Sequence, residues 1–187
     1  TRNESSAASD VYKRQILVIV WEKKTAAEAY AVGRQSIDNS LNVIWSEAIL
    51  ELEPIGANEA NVVWEWHIWD HLVQDVDPDL PNYGIIADHP ELQDINYGNA
   101  GGNGGPGGAN GDWKHFNAIA YNENLDQIAL SSRYHDEIYI IDHSTTSEEA
   151  AGHTGGNSGK GGDFLYRWGN PQAYGCLLYT SDAADDS

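Results

Sequence analysis

The chain has 187 residues, in which 29 Asp and Glu outnumber 10 Lys and Arg, so its formal net charge is −19 at pH 7. This acidity argues against nucleic-acid binding, because proteins that bind phosphate backbones need a basic surface. Cys176 is the only cysteine in the sequence, so an intramolecular disulfide is excluded. No apolar run approaches the ~18 residues of a membrane-spanning helix, and we therefore predict no membrane span.

The two ends of the chain resemble translated sequencing adapters. Residues 5–15 read SSAASDVYKRQ and residues 176–186 read CLLYTSDAADD. Val-Tyr-Lys-Arg-Gln can be encoded as GTG TAT AAG AGA CAG, whose reverse complement, shifted by one base, encodes Cys-Leu-Leu-Tyr. We therefore interpret residues 1–15 and 176–187 as adapter-derived segments rather than genuine disordered tails. Residues 16–175 are then expected to be an internal fragment of a longer protein.

Short strands dominate the first part of this body, and one helix interrupts them. ILVIVW at residues 16–21 is a continuous apolar run, which is typical of a buried strand. Thr25 can cap a helix over residues 25–34, since a glutamate follows three residues later at the spacing of a capping box. Residues 48–54 and 61–67 are predicted to pair as a hairpin across the turn-like sequence IGANEA.

The middle of the chain is predicted to be irregular. Residues 70–74 can form a single helical turn, and residues 75–111 form a long polar stretch whose glycine-rich end is typical of a flexible loop. The acidic sequence at residues 75–79 resembles a calcium loop only loosely, because it lacks the Gly and Glu positions of an EF-hand. We interpret it as a solvated acidic loop. A second glycine-rich segment covers residues 152–162, and residues 164–168 are predicted to form the last strand.

Two further patterns have a ligand-binding interpretation that the sequence does not favour. The segment GGNSGKG at residues 155–161 is one residue shorter than a phosphate-binding loop and lacks its Ser or Thr, although Lys160 could face an anion. His67 and His71 in HIWDH are four residues apart, but the glutamate of a zinc protease motif is replaced by Ile68. We therefore predict no metal site there.

The most informative segment is DWKHFNAIAYNENLDQIALSSRYHDEIYIID, residues 112–142. It predicts three strands joined by two tight turns. Folding the first pair about Asn124 places residue 115 opposite 133 and residue 117 opposite 131. One face then carries core residues, namely Phe116, Ala118, Ala120, Ile128 and Leu130. The other carries His115, Asn117, Ser131 and Arg133, so an imidazole and a guanidinium would form a pocket for a small oxyanion.

Short strands, hairpin turns and uneven loops predict an antiparallel all-β fold with one short helix. Periodicity alone leaves both a sandwich and a β-propeller open, because no strict repeat is visible, although WEK, WEW and YRWG recur near strand ends. Four tryptophans, Trp64, Trp66, Trp69 and Trp168, are predicted to serve in packing within and between sheets.

The segments VVWEWHIWDHL, DWKHFNAIAYN, LDQIALSSR, IYIIDHSTT and GGDFLYRWGNP together resemble the bacterial arylsulfotransferase (aryl-sulfate sulfotransferase) family. The resemblance extends over most of residues 16–175. It implies a six-bladed β-propeller, of which this chain would supply about two or three blades. It also implies an enzyme that moves a sulfuryl group from an aryl sulfate to a phenol without a nucleotide or other cofactor. A periplasmic or secreted location is implied as well.

The same resemblance assigns roles to individual residues. His115 in DWKH and Arg133 in SSR match functional positions of the family, with Arg133 gripping sulfate oxygens. His115 would hydrogen-bond the sulfuryl group or protonate the leaving phenolate. Asn117 would orient the imidazole or the acceptor phenol, and Trp113 is a candidate to stack on the aryl ring. The family's covalent sulfohistidine forms on another histidine, which is expected downstream and outside this chain.

Three alternatives stay open at this point. His115 and Arg133 could be an ordinary surface pair at a strand end. The chain could belong to a non-catalytic propeller that binds a ligand or partner through its rim loops. It could also carry different chemistry on the same scaffold, since a fold does not fix a function.

Overall fold

The computed structural model describes residues 15–103 and 108–176. Residues 1–14 and 177–187, which we interpret as adapter-derived, therefore lie outside the described residues, and so do residues 104–107. Within the described part of the chain, no helix is both long and apolar enough to cross a membrane.

The described residues form nine β-strands and two short α-helices. The strands are β1 (Ile16–Thr25), β2 (Val43–Ile55), β3 (Glu59–His67), β4 (Leu72–Val73), β5 (Gln93–Asp94), β6 (Phe116–Asn122), β7 (Gln127–Ser132), β8 (Glu137–Asp142) and β9 (Tyr166–Gly169). The α-helices are α1 (Ala26–Ala31) and α2 (Ser147–Ala150), and 3₁₀ turns cover Ile68–Asp70, Ile86–Asp88 and Pro171–Tyr174.

Two antiparallel sheets dominate the architecture. Strands β1-β2-β3 form the first sheet and β6-β7-β8-β9 the second, each in sequence order. Between them β4 and β5 form a short parallel pair. The prediction of a mostly antiparallel all-β chain is therefore confirmed.

Capping chemistry explains both helices. Thr25 Oγ1 accepts a hydrogen bond from the Glu28 amide, and the Glu28 carboxylate accepts one from the Thr25 amide at 2.7 Å, so α1 begins with the predicted capping box. The helix ends at Ala31, three residues earlier than predicted. Helix α2 begins with the same device, Thr146 and Glu149, and the prediction of a single helix missed it. The helical turn predicted at residues 70–74 is replaced by a 3₁₀ turn followed by β4.

The first sheet differs from prediction in the burial of β1. The run at residues 16–21 was expected to be buried, but Ile16 and Trp21 each remain 52% exposed. The reason is topological, because β1 is an edge strand that pairs with β2 alone. The hairpin of β2 and β3 is as predicted, with strands longer than the pattern indicated and a bulge between Glu51 and Leu52.

Aromatic side chains from both sheets meet in one core. Trp64 and Trp66 from β3 are buried as predicted, and the Trp66 indole donates to the Gly162 carbonyl at 2.7 Å. Tyr139 of β8 stacks on Phe164 with ring centroids 4.4 Å apart. Trp168 was predicted to pack, but it is 64% exposed because β9 is the outer strand of its sheet.

A buried polar network crosses this apolar core. Lys114 is fully buried, and its Nζ donates to Gln93 Oε1 at 2.6 Å and to the Tyr139 hydroxyl at 2.9 Å. Tyr139 in turn donates to Glu137, and Glu137 accepts two hydrogen bonds from the Arg167 guanidinium at 2.9 and 2.7 Å. This chain of contacts joins β5, β8 and β9 to the segment that precedes β6.

The second glycine-rich segment wraps around a carboxylate of the protein itself. The Ser158 amide donates to Asp142 Oδ2 at 2.8 Å, and the Ser144 amide donates to Asp142 Oδ1 at 2.9 Å. A Cβ at Gly156, whose φ is +64°, would lie 2.7 Å from the same carboxylate. Burial alone would raise the pKa of Asp142, but the hydrogen bonds from Ser144 and Ser158 outweigh burial and lower the pKa. Because an amide of this segment already binds the Asp142 carboxylate, the structure agrees with the sequence argument against a phosphate-binding loop.

Asp142→Asn is expected to lower the free energy of unfolding by about 1.5–3 kcal/mol at neutral pH, since hydrogen bonds to a charged group contribute about that much. The pKa of Asp142 is lower in the folded chain than its ordinary value of 3.8. The contribution of Asp142 to the free energy of unfolding is therefore complete above pH 3.8 and disappears as the pH falls through the folded pKa. Denaturant titrations of wild type and variant should converge at acid pH. Glu53→Gln, at an exposed position of β2, is the matched control, and an equal loss in that variant would contradict the assignment.

Candidate active site

The candidate site begins at the open end of the β6–β7 hairpin. The Arg133 amide donates to the His115 carbonyl at 3.1 Å, and Phe116 pairs with Ser132, as the folding about Asn124 predicts. Beyond that point the register shifts by one residue, because a bulge at Asn117 leaves Ala118 opposite Ser131. The predicted pairing is therefore right at the site end of the hairpin and wrong at its turn end.

The bulge also reverses the predicted faces of β6. An extra residue in one strand moves every later side chain to the opposite face. Ala118 and Ala120, expected in the core, are exposed, whereas Phe116 is buried and Ile119 packs against the core. Ile128 and Leu130 of β7 are buried as predicted.

His115 is held in a defined orientation by Asp112. Its Nδ1 lies 2.5 Å from Asp112 Oδ2, so Nδ1 donates its proton to the carboxylate. The backbone of His115 has φ +53°, a left-handed conformation that residues other than glycine seldom adopt. The side chain is 29% exposed and its ring centroid lies 5.0 Å from that of Tyr134. Nε2 has no hydrogen-bond partner among the described residues, so it can exchange a proton with a ligand.

Behind this pair lies a buried carboxyl group that the sequence analysis missed. Glu47 of β2 is fully buried, and neither of its oxygens has a hydrogen-bond partner among the described residues. Burial raises the pKa of Glu47 to about 7, and the nearby charge of Asp112 acts in the same direction. The charge of Lys114 opposes that rise without cancelling it. Glu47 therefore keeps its proton to a higher pH than an ordinary glutamate, within electrostatic reach of the carboxylate that orients His115.

Arg133 presents an exposed cation that shares Tyr134 as a neighbour with His115. Its side chain is exposed, and its guanidinium carbon lies 5.8 Å from the centre of the Tyr134 ring. Within the described ranges, its guanidinium makes no ion pair and no hydrogen bond to protein. A guanidinium without an internal partner is available to a bidentate oxyanion.

The other two predicted site residues occupy contrasting environments. Asn117 is the exposed extra residue of the bulge, and bulges beside active sites commonly re-aim one side chain. Trp113 is fully buried, and its indole donates to the Tyr97 carbonyl at 2.8 Å. Its burial argues against direct stacking on a free aryl ring. Trp113 instead forms part of the wall of a cavity of about 430 Å³ that Asp112 and Tyr134 also line.

The zinc pattern considered for HIWDH does not form. His67 Nδ1 lies 2.9 Å from a carboxylate oxygen of Glu22 on β1. The hydrogen bond that His67 donates to Glu22 raises the pKa of His67 and outweighs burial, which lowers it. His71 points elsewhere, towards Asp163.

We expect Glu47→Gln to remove a pH dependence of stability. The folded chain holds the Glu47 proton up to about pH 7, whereas the unfolded chain releases it near 4.5. Wild-type stability should therefore fall as the pH rises between these values and level off above them. Urea unfolding at a series of pH values measures the slope, and Glu53→Gln should retain the wild-type profile. An unchanged slope in Glu47→Gln would show that Glu47 titrates normally.

Comparison with known proteins identifies a family. A family model described as arylsulfotransferase (ASST) matches residues 27–148, a range that contains β2 to β8 and every predicted site residue. No curated protein and no solved structure matches the chain. Since the matched segment covers more than half of the sequence, the chain belongs to the arylsulfotransferase family.

Proposed function

We propose that this chain binds an aryl sulfate at His115 and Arg133, as part of an enzyme that transfers the sulfuryl group to a phenol without a nucleotide. The observation that carries the proposal is the Arg133 guanidinium, which has no ion pair or hydrogen bond within the described ranges. It belongs to the residue whose amide bonds to His115, and Asp112 fixes the orientation of the His115 imidazole. The family match over the same segment supports it.

Arg133 supplies the charge that an anionic substrate needs. The chain has a net charge of −19, so its overall field repels a sulfate ester. A local guanidinium overcomes that repulsion, because its planar fork of donors matches two sulfate oxygens at once. The same donors stabilise the charge that develops on the sulfuryl oxygens during transfer.

His115 acts on the bridging oxygen. In the first half-reaction, the bond between sulfur and the aryl oxygen breaks, a nitrogen–sulfur bond forms on a histidine outside this chain, and His115 Nε2 gives a proton to the departing phenolate. In the second, His115 takes the proton of the acceptor phenol as its oxygen attacks sulfur and frees the histidine. Asp112 keeps the ring of His115 in the orientation that directs Nε2 at the bridging oxygen.

The remaining family features complete the proposal. Asn117 orients the imidazole or the acceptor phenol from the bulge, and the cavity beside Trp113 holds the aryl ring. The two antiparallel sheets are blades of a six-bladed propeller, of which this chain supplies about two or three. The location is periplasmic or secreted, and no cofactor takes part.

A non-catalytic ligand- or partner-binding propeller is the second candidate. The exposed aromatic side chains of Tyr166 and Trp168 on β9 favour it, because exposed apolar patches often mark interaction surfaces. The two candidates differ in one measurement, since only the enzyme releases phenol from an aryl sulfate.

Arg133→Ala is expected to reduce the binding of 4-nitrophenyl sulfate to this chain at least about tenfold in calorimetric titrations. In the full-length parent it should lower kcat/KM by about 10²–10³, as loss of one charge-stabilising donor does. Arg133→Lys should recover part of the lost binding and turnover, because lysine keeps the positive charge but lacks the planar set of donors. Lys160→Ala, a cation in the second glycine-rich segment, is the control. Unchanged binding and turnover in Arg133→Ala would overturn the assignment.

His115→Ala should distinguish acid catalysis from positioning. If His115 protonates the leaving group, the defect in the parent enzyme should grow as the phenol becomes a poorer leaving group. A series of aryl sulfates of graded phenol pKa measures this slope, and Asp112→Asn should show a weaker version of it. The chain alone should bind the ester without releasing phenol. A defect of equal size across the series would show that His115 positions the substrate and does not act as an acid.

A further inference from the structure

Three potential metal ligands converge at a point that takes no part in the proposed sulfuryl transfer. His71 follows the 3₁₀ turn after β3, while His153 and Asp163 lie after α2. Asp163 Oδ1 is 2.8 Å from His71 Nδ1 and 2.7 Å from His153 Nδ1. All three ligand atoms lie within 4.8 Å of one another, and no other such group occurs among the residues that the structure describes.

The surroundings of His71 prepare its Nδ1 as a ligand. The opposite ring nitrogen, Nε2, lies 2.8 Å from the Ala150 carbonyl and therefore carries a proton that it donates there. A histidine that binds a metal almost always donates its other ring N–H in this way. The ring is fully buried and stacks on Trp66, with centroids 5.7 Å apart and planes 7° apart.

Gly162 shows how closely this ring is enclosed. A Cβ there would lie 2.0 Å from the Ala150 carbonyl oxygen and 2.6 Å from His71 Nε2. Only glycine fits at this position. The imidazole is thus fixed before any ion binds, which lowers the entropic cost of binding.

The geometry around Asp163 also favours an ion. Its Oδ1 lies within 2.8 Å of the Nδ1 atoms of both His71 and His153, so the two rings converge on one carboxylate oxygen. A divalent cation between the three atoms would bind all of them at once.

We propose that His71, His153 and Asp163 bind a divalent transition-metal ion of the Zn²⁺ type. Two imidazole nitrogens and one carboxylate oxygen are ligands that suit zinc, whereas Mg²⁺ and Ca²⁺ prefer oxygen alone. The His153 side chain is 58% exposed, so the fourth position is open to water. The ion ties the second glycine-rich segment to the end of β3.

Only a small adjustment is needed for binding. Tetrahedral zinc with bonds of about 2.0–2.1 Å separates its ligand atoms by about 3.4 Å. Each nitrogen–oxygen distance then has to lengthen by about 0.6 Å. A shift of the Asp163 carboxylate lengthens its distance from His71, and the exposed ring of His153 moves with it, while the buried ring of His71 stays in place.

The test is a titration of the chelator-treated chain with Zn²⁺ in competition with a chromophoric chelator. We expect one equivalent to bind, and Co²⁺ to give the visible absorption of a four-coordinate ion. His153→Ala and Asp163→Asn should each weaken binding by at least about tenfold, since even changes to outer-sphere partners of a metal ligand cost 10- to 100-fold. His89→Ala is the matched control, because His89 is a partly exposed histidine that also pairs with a carboxylate, that of Glu91.

The acidic surface offers the competing explanation. Its carboxylates would bind Zn²⁺ weakly, in several equivalents, and would lose it to millimolar Mg²⁺ or to salt. That behaviour, or equal affinity in His153→Ala and wild type, would overturn the proposal. Circular dichroism of each variant shows that it is folded, and an exposed residue such as His153 can be replaced without disturbing the core. Protection of the second glycine-rich segment from proteolysis by Zn²⁺, in wild type alone, would support the structural role.

Discussion

The burial of the Lys114 ammonium is the constraint on which the rest of the structure depends. Removing an ammonium group from water costs several kcal/mol unless acceptors replace the water. Gln93 and Tyr139 supply acceptors, and His135 Nδ1 lies 2.9 Å away as a third. Burial lowers the pKa of Lys114 well below its ordinary value, although the nearby Glu137 acts in the opposite direction. The segment before β6 can therefore occupy only one position relative to β5 and β8.

That position determines the geometry of the candidate active site. The Lys114 carbonyl accepts hydrogen bonds from the Ser132 hydroxyl at 2.8 Å and from the Tyr134 amide at 3.1 Å, which sets the register of the neighbouring strand. His115 is the next residue. The buried Lys114 side chain therefore fixes the backbone from which the partly exposed imidazole extends. The first sheet completes the site, because the Trp45 amide donates to the Gly111 carbonyl at 2.6 Å and brings Glu47 behind Asp112.

Local patterns in the sequence were sufficient for the features that depend on near neighbours. The capping box of α1, the antiparallel hairpins and the pairing of His115 with Arg133 all follow from spacing of a few residues. The bulge at Asn117 was not predicted, because the small side chains of Ala118 and Ala120 fit either face and hide the point at which the alternation shifts. Glu47 and the cluster at Asp163 were missed for another reason: their partners are distant in sequence and meet only through the packing of the two sheets. The burial of Trp113 was not predicted, since an aromatic residue beside a candidate histidine can face inwards as readily as outwards.

The left-handed backbone of His115 has a consequence for how such a chain changes over time. This conformation costs a residue with a Cβ about 1–2 kcal/mol, whereas glycine adopts it without that cost. Under selection for stability alone, substitutions at position 115 would drift towards glycine, and the imidazole would be lost. Backbone stability alone therefore does not explain a histidine at position 115. Mutagenesis aimed at thermal stability should therefore leave position 115 unchanged.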